Sequence, residues 1–271
     1  MKNEVIFTKN NFGLQVKSML KVDFRRMFRS KIFYIIIACA LVIPILMTVM
    51  MTMMDGSVSV DPQTGAETIM EGPENAWQSI GTLPTADGAT MGGMDVMAMC
   101  NINMMFMAVA IFICLFISED FRSGYAKNLF TVRAEKGNYV FSKTLAGFVC
   151  GLLMLVAYFI GAILGGAASG LSFELYGLTA TNIAMCMISK IFLMLVFVAI
   201  DVLISVAAKQ KAWLCIFGSL GAGMLLFMMV SVITPLSSTI MNVLLCIAGG
   251  TIFAVGLGAI SKLILNKTSL V

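Results

Sequence analysis

The chain has 271 residues, of which 59% are hydrophobic and only 12% charged, and its net charge is +4. A soluble domain is nearer half apolar and a quarter charged, so with a mean hydropathy of +0.96 much of the surface has to face lipid. Histidine is absent, which removes the commonest proton shuttle and metal ligand. The seven cysteines (Cys39, Cys100, Cys114, Cys150, Cys186, Cys215 and Cys246) stand singly in apolar runs, without the paired spacing of a disulfide framework or a zinc site.

Residues 1–31 form a polar, basic tail. Within it Leu14, Val16, Met19, Leu20, Phe24, Met27 and Phe28 fall near one helical face and lysine or arginine fills the other. That pattern predicts a helix lying in the plane of the headgroups. The polar start lacks the short apolar core of a cleavable signal, and the apolar run after it reads as an uncleaved anchor. A spanning helix needs roughly 20 apolar residues. Six stretches qualify: 32–54, 96–117, 144–168, 183–208, 213–234 and 240–262. The fold class expected is therefore an all-α integral membrane protein, one transmembrane domain over 1–271.

The loop 55–95 carries Pro62, Pro73, Pro84 and Trp77 and reads as a small irregular cap, too short for a core of its own. The last two spans are joined by Pro235-Leu236-Ser237-Ser238, which fits a tight hairpin and a re-entrant turn equally well. Lysine and arginine gather in the tail, in 118–143, at Lys209 and Lys211, and at Lys262 and Lys267, while the opposite loops hold only acids such as Asp55, Glu71, Asp95 and Glu174. By the positive-inside rule both termini face the cytoplasm.

The cytoplasmic loop 118–143 is the most informative segment. Glu119 and Asp120 close an apolar helix, followed by Phe121 and Arg122, and Gly124 permits a turn other residues resist. Residues 125–132 then suit a short helix offering Leu129, Phe130 and Val132 to a partner. Gly137 ends it and Lys143 marks the return to the membrane. A helix held between two spans moves them when pushed; the plain alternative is a charged turn that joins them.

Glu119, Gly124, Tyr125, Lys127, Leu129, Arg133, Tyr139 and Lys143 stand in an order that resembles the permeases of ABC-2 type exporters. The layout of basic interfacial helix, six spans and both ends inside is similar too. One departure is Arg133-Ala134, where the family often has proline before the second basic position. The resemblance implies that the loop residues Glu119, Asp120, Phe121, Arg122, Gly124, Tyr125, Lys127, Leu129, Phe130 and Arg133 dock on an ATPase subunit. It also implies that two permease chains, the same or homologous, pair in a bacterial inner membrane. Substrates of such permeases are hydrophobic or amphipathic, peptides among them. This chain has no Gly-x-x-x-x-Gly-Lys-[Ser/Thr], the sequence that cradles nucleotide phosphates. It is not expected to be an enzyme: ATP and magnesium belong to the partner.

Lys190 and Asp201 are the charges placed inside a predicted span, where charge is costly and functional by default. Eleven residues separate them, about 16 Å along the helix axis, so they do not pair. Lys190 is expected to snorkel to the outer surface and Asp201 to lie near the cytoplasmic headgroups. With Asn101 and Asn103, early in the second span, they are candidates for the substrate path, although interhelical packing suits the asparagines better. Gly147/Gly151, Gly161/Gly165 and Gly218, Gly221 and Gly223 suit either bundle packing or a dimer seam. The 24 methionines include clusters at 47–54 and 91–99. Thioethers bind Cu(I), but adaptable apolar packing is the better account, and no metal is expected. The rival classes are an ion-coupled carrier or channel, which usually shows more buried charge and an inverted repeat, and a non-transporting anchor or sensor. No nucleic-acid partner is expected.

Overall fold

A computed structural model of the chain describes residues 12–60, 67–69, 72–81, 101–132, 136–175 and 177–267. The elements are α1 (Phe12–Arg29), α2 (Lys31–Met53), β1 (Val58–Val60), β2 (Glu67–Ile69), a 3-10 turn (Ala76–Ser79), α3 (Met104–Arg122), α4 (Tyr125–Val132), α5 (Lys136–Ala168), α6 (Ala180–Ala208), α7 (Ala212–Ile233) and α8 (Ile240–Lys267). Helices α2, α3, α5, α6, α7 and α8 are each long and apolar enough to cross a membrane. The chain is an all-α, multi-pass membrane protein. Its outer helices are apolar on every side: Leu225 on α7 and Val255 on α8 are 84% and 74% exposed, which suits lipid and not water.

Helix α3 sits at the centre and touches α2, α4, α5, α6 and α7; α2 runs along α5, and α8 along α6. Close approach between α2 and α5 depends on small residues, because a Cβ on Gly161 would run into the Leu41 carbonyl and one on Gly165 would lie 3.0 Å from Ile45 Cα. Gly147 and Gly151 face Ile113 and Val198, and Met194, in the same way. These four glycines therefore serve packing inside one bundle. Pro44, within α2, has no N–H to donate along the helix, and Thr48 Oγ1 caps its carbonyl at 2.7 Å.

Helix boundaries depart from the expectation in three places. Helix α3 starts at Met104 and not at Val96, and residues 96–100 lie outside those described. The Asn101 carboxamide accepts the Asn103 N–H at 2.9 Å, a local bond that competes with helix. Helix α5 starts at Lys136, eight residues ahead of Thr144, so Gly137 lies in its first turn and ends nothing. The polar residues of that extension, Asn138, Tyr139, Ser142 and Lys143, are buried inward, and a hydropathy window cannot distinguish them from a loop. Helix α8 runs on to Lys267, where the Lys136 ammonium donates to the Leu265 carbonyl at 2.6 Å.

The acidic end is capped by more than irregular loop. Strands β1 and β2 pair antiparallel, Val58 opposite Ile69. The 3-10 turn laps over the bundle: Asn75 Nδ2 donates to the Glu174 carbonyl at 2.7 Å, Trp77 Nε1 to Phe173 at 3.1 Å, and Gly81 sits on buried Leu236. Helices α7 and α8 leave their short turn in different directions, making little contact with each other while both lean on α6.

Candidate coupling site

Helix α1 buries Val16, Met19, Asp23 and Met27. That i, i+3, i+4 spacing is part of the apolar face expected from the sequence, with a carboxylate set into its middle; Phe28 of that face is exposed, and the side chain of Leu14 lies outside those described. Asp23 is the only acid in α1, and its burial is matched by α5. Lys143 Nζ lies 2.7 Å from Asp23 Oδ1 and 2.7 Å from Asp120 Oδ2, and the Ser142 hydroxyl donates to Asp23 Oδ2 at 2.6 Å. Arg26, one turn along α1, pairs with Asp120 Oδ1 at 2.6 Å, and the Tyr139 hydroxyl donates to Asp120 Oδ2 at 3.0 Å. Two cations and two anions balance, which is the condition for keeping charge out of water. Burial works against the Arg26 charge, but Asp120 beside it, with help from Asp23, holds its pKa above the ordinary arginine range.

Rings line the network. Lys143 Nζ lies 3.9 Å from the Phe116 centroid and Arg26 Cζ lies 4.5 Å from that of Tyr125, both within cation–π range. Tyr125 opens α4, so the short helix rests directly on the ion network. Its other anchors are Ala126, fully buried, and Phe130, whose ring meets Tyr139 edge-on at 5.2 Å. The turn into α4 is made by Gly124 at φ +74°, a left-handed conformation that costs any other L-residue about 1–2 kcal/mol.

The ten loop residues do not form one surface. Asp120 and Phe121 are buried and belong to the bundle, and Tyr125, Leu129 and Phe130 are half-buried against it. The exposed positions between residues 119 and 131 are Glu119, Arg122, Ser123, Lys127, Asn128 and Thr131. Glu119 and Arg122 pair with each other at 2.8 Å in the open. Arg133 lies outside the described residues. The face that α4 offers is thus polar and basic, where Leu129 and Phe130 were expected to be the offered residues.

Lys190 does not snorkel. It is fully buried, and its ammonium donates to Asn103 Oδ1 at 2.6 Å and to Thr234 Oγ1 at 3.0 Å. Asn103 Nδ2 in turn donates to the Ser231 hydroxyl at 3.0 Å. Asn101 and Asn103 lie in the turns before α3, not within it. Asp201 is also buried, and its Oδ2 has no hydrogen-bond partner among the described residues. Ser205, Cys114 and Ser219 lie in a short chain of contacts beside it across α6, α3 and α7. The sequence-predicted candidates therefore divide into a basic-end set and two separate buried polar sites.

Sequence alone marks Lys143 only by its place in the loop motif, and does not mark Asp23 or Arg26 as site residues. The signal that marks them is an acid on an apolar helical stripe, facing a lysine at the start of a span. Among the described residues no group of histidine, cysteine and acidic side chains could hold a metal ion. Residues 19–221, from within α1 to the middle of α7, match the family model described as ABC-2 family transporter protein. No curated protein and no solved structure matches the chain.

Proposed function

The chain belongs to the ABC-2 transporter family, and we propose that it is the membrane-spanning permease of an exporter for a hydrophobic or amphipathic substrate, peptides included. A separate P-loop ATPase supplies ATP and magnesium chemistry, and a second permease chain completes the transporter. Both termini, α1 and α4 face the cytoplasm of a bacterial cell, and the acidic cap faces outward.

The observation that carries this reading is the seating of α4. An eight-residue helix presents Lys127, Asn128 and Thr131 outward while its inner side rests on Tyr139 and on Arg26. Arg26 and Tyr139 both hold Asp120, in the last turn of α3, and Asp120 holds Lys143, two turns into α5. A push on α4 therefore reaches α1, α3 and α5 through short ionic contacts rather than through flexible loop. Closure of an ATPase dimer would supply that push.

Pull-down of the native chain from its own membranes, with mass spectrometry of what accompanies it, tests the reading. A P-loop ATPase is expected with the native chain and is lost when Arg122 and Lys127 become alanine, although the thermal stability of the chain stays the same. Absence of any ATPase under gentle detergent sinks the proposal, and attention then turns to Lys190 and Asp201 as parts of an ion-driven carrier.

A further inference from the structure

A cavity of about 340 Å³ opens at the basic end between α1, α2, α3 and the α6–α7 turn. Its polar side is made by Arg26, Arg122 and Gln210, and its apolar side by Ile32, Phe112 and Leu115. We propose that this cavity takes the phosphate headgroup of an anionic phospholipid from the adjoining leaflet, its acyl chains lying against the apolar side.

Four observations support the assignment. Two guanidinium groups share one cavity, and arginine forks match phosphate oxygens. Glu119 is the only acid lining it among the described residues, and its pairing with Arg122 is solvent-exposed, 50% and 74% respectively. Such a pair contributes little, so a phosphate competes readily for Arg122. The lining residues Ser30 and Gln210 are each flanked in the chain by two bases, Arg29 and Lys31, and Lys209 and Lys211. Finally, the cavity stands at headgroup depth: Trp213, next to lining residue Ala212, is 63% exposed, and exposed tryptophan marks the membrane–water boundary. Basic pockets between spans at this depth suit anionic headgroups. An occupant would touch Arg26 directly, and through it the Asp120 ion network.

The shared chemistry is a phosphate anion, which a lipid or a soluble phosphate could supply. Native mass spectrometry of the full chain in neutral detergent, titrated with phosphatidylglycerol or phosphatidylcholine, separates the two and needs no ATPase. Phosphatidylglycerol is expected to be retained about tenfold better than phosphatidylcholine, and Arg122→Gln is expected to remove most of that preference. Lys127→Gln, at an exposed base that does not line the cavity, leaves the preference intact. Equal retention of both lipids overturns the proposal, as does equal loss in the Arg122 and Lys127 variants, which would mean general surface charge. Displacement of phosphatidylglycerol by millimolar inorganic phosphate overturns the lipid assignment in favour of a soluble anion.

Discussion

Lys143 Nζ stands 2.7 Å from Asp120 Oδ2, and both side chains are wholly shielded from solvent. The two residues lie in the last turn of α3 and in the second turn of α5, with α4 between them in the chain, so this one contact closes the base of the loop. Lys143→Met removes the cation that, among the described residues, alone bridges Asp23 and Asp120, leaving Asp23 without that ionic partner. Breaking a buried pair from one side costs about 3–5 kcal/mol. Thermal unfolding in detergent should therefore fall steeply in Lys143→Met and in Asp120→Ala. Arg122→Ala, which breaks an exposed pair only three residues along, should cost about 1 kcal/mol or less. Equal melting temperatures for the two kinds of variant would remove the network from the account.

The contact between α2 and α5 gives a second contrast. Gly161→Ala places a methyl group against the Leu41 carbonyl, which is backbone and cannot rotate away. A misfit of this kind costs about 1–3 kcal/mol. At Gly221, on α7, an added methyl group meets nothing within 4 Å, and alanine gains about 0.5–1 kcal/mol of helix preference. Unfolding midpoints should move in opposite directions for these two substitutions of the same chemistry. A destabilised Gly221→Ala would mean that this face is covered in the working protein.

Much of this architecture could be read from the chain, and the part that could not has a physical reason. Six spans, the helix over 125–132 and the turn at Gly124 follow from run length, period and backbone freedom. The first eight residues of α5 are not legible because Asn138, Ser142 and Lys143 look like loop until α1 is known to face them: Gln15 meets Asn138, and Asp23, 120 residues earlier in the chain than Lys143, meets Ser142 and Lys143. Position on a helix says which side a residue takes but not which helix it meets. For the same reason Lys190 was expected to reach outward, when acceptors at Asn103 and Thr234 keep it inside. Adjacent in the sequence, Asp120 and Glu119 read alike, although at the end of α3 the first is buried and the second exposed.

Lys190 itself yields a prediction with separable outcomes. No acidic partner accompanies its ammonium among the described residues, only Asn103 Oδ1 and Thr234 Oγ1. Replacing a buried charge by an apolar side chain of similar size is often neutral or stabilising. Lys190→Met should therefore keep or raise the melting temperature. Asn103→Ala, which leaves the ammonium with a single acceptor, should lower stability by about 1–3 kcal/mol. Transport measured in proteoliposomes then decides whether the charge has work in the substrate path. Loss of transport in a stable Lys190→Met assigns it such work, and full transport reduces it to a packing residue.

Gly124 offers the cleanest test of whether α4 acts as a lever. Its φ of +74° is left-handed, and nothing lies within 4 Å of where a Cβ would stand. Gly124→Ala therefore perturbs the backbone turn and no packing contact. Strain of about 1–2 kcal/mol at the turn should be relieved by local opening of α4, whose amides gain roughly five- to thirtyfold in hydrogen exchange. The amides of α3 and α5 should stay as protected as before, because Asp120, Tyr139 and Lys143 keep their contacts. If α4 opens in this way and ATPase co-purification weakens in parallel, the seating of the short helix controls docking. If exchange in α3 and α5 rises together with that in α4, the turn and the two spans unfold as one unit, and α4 cannot move as a separate lever.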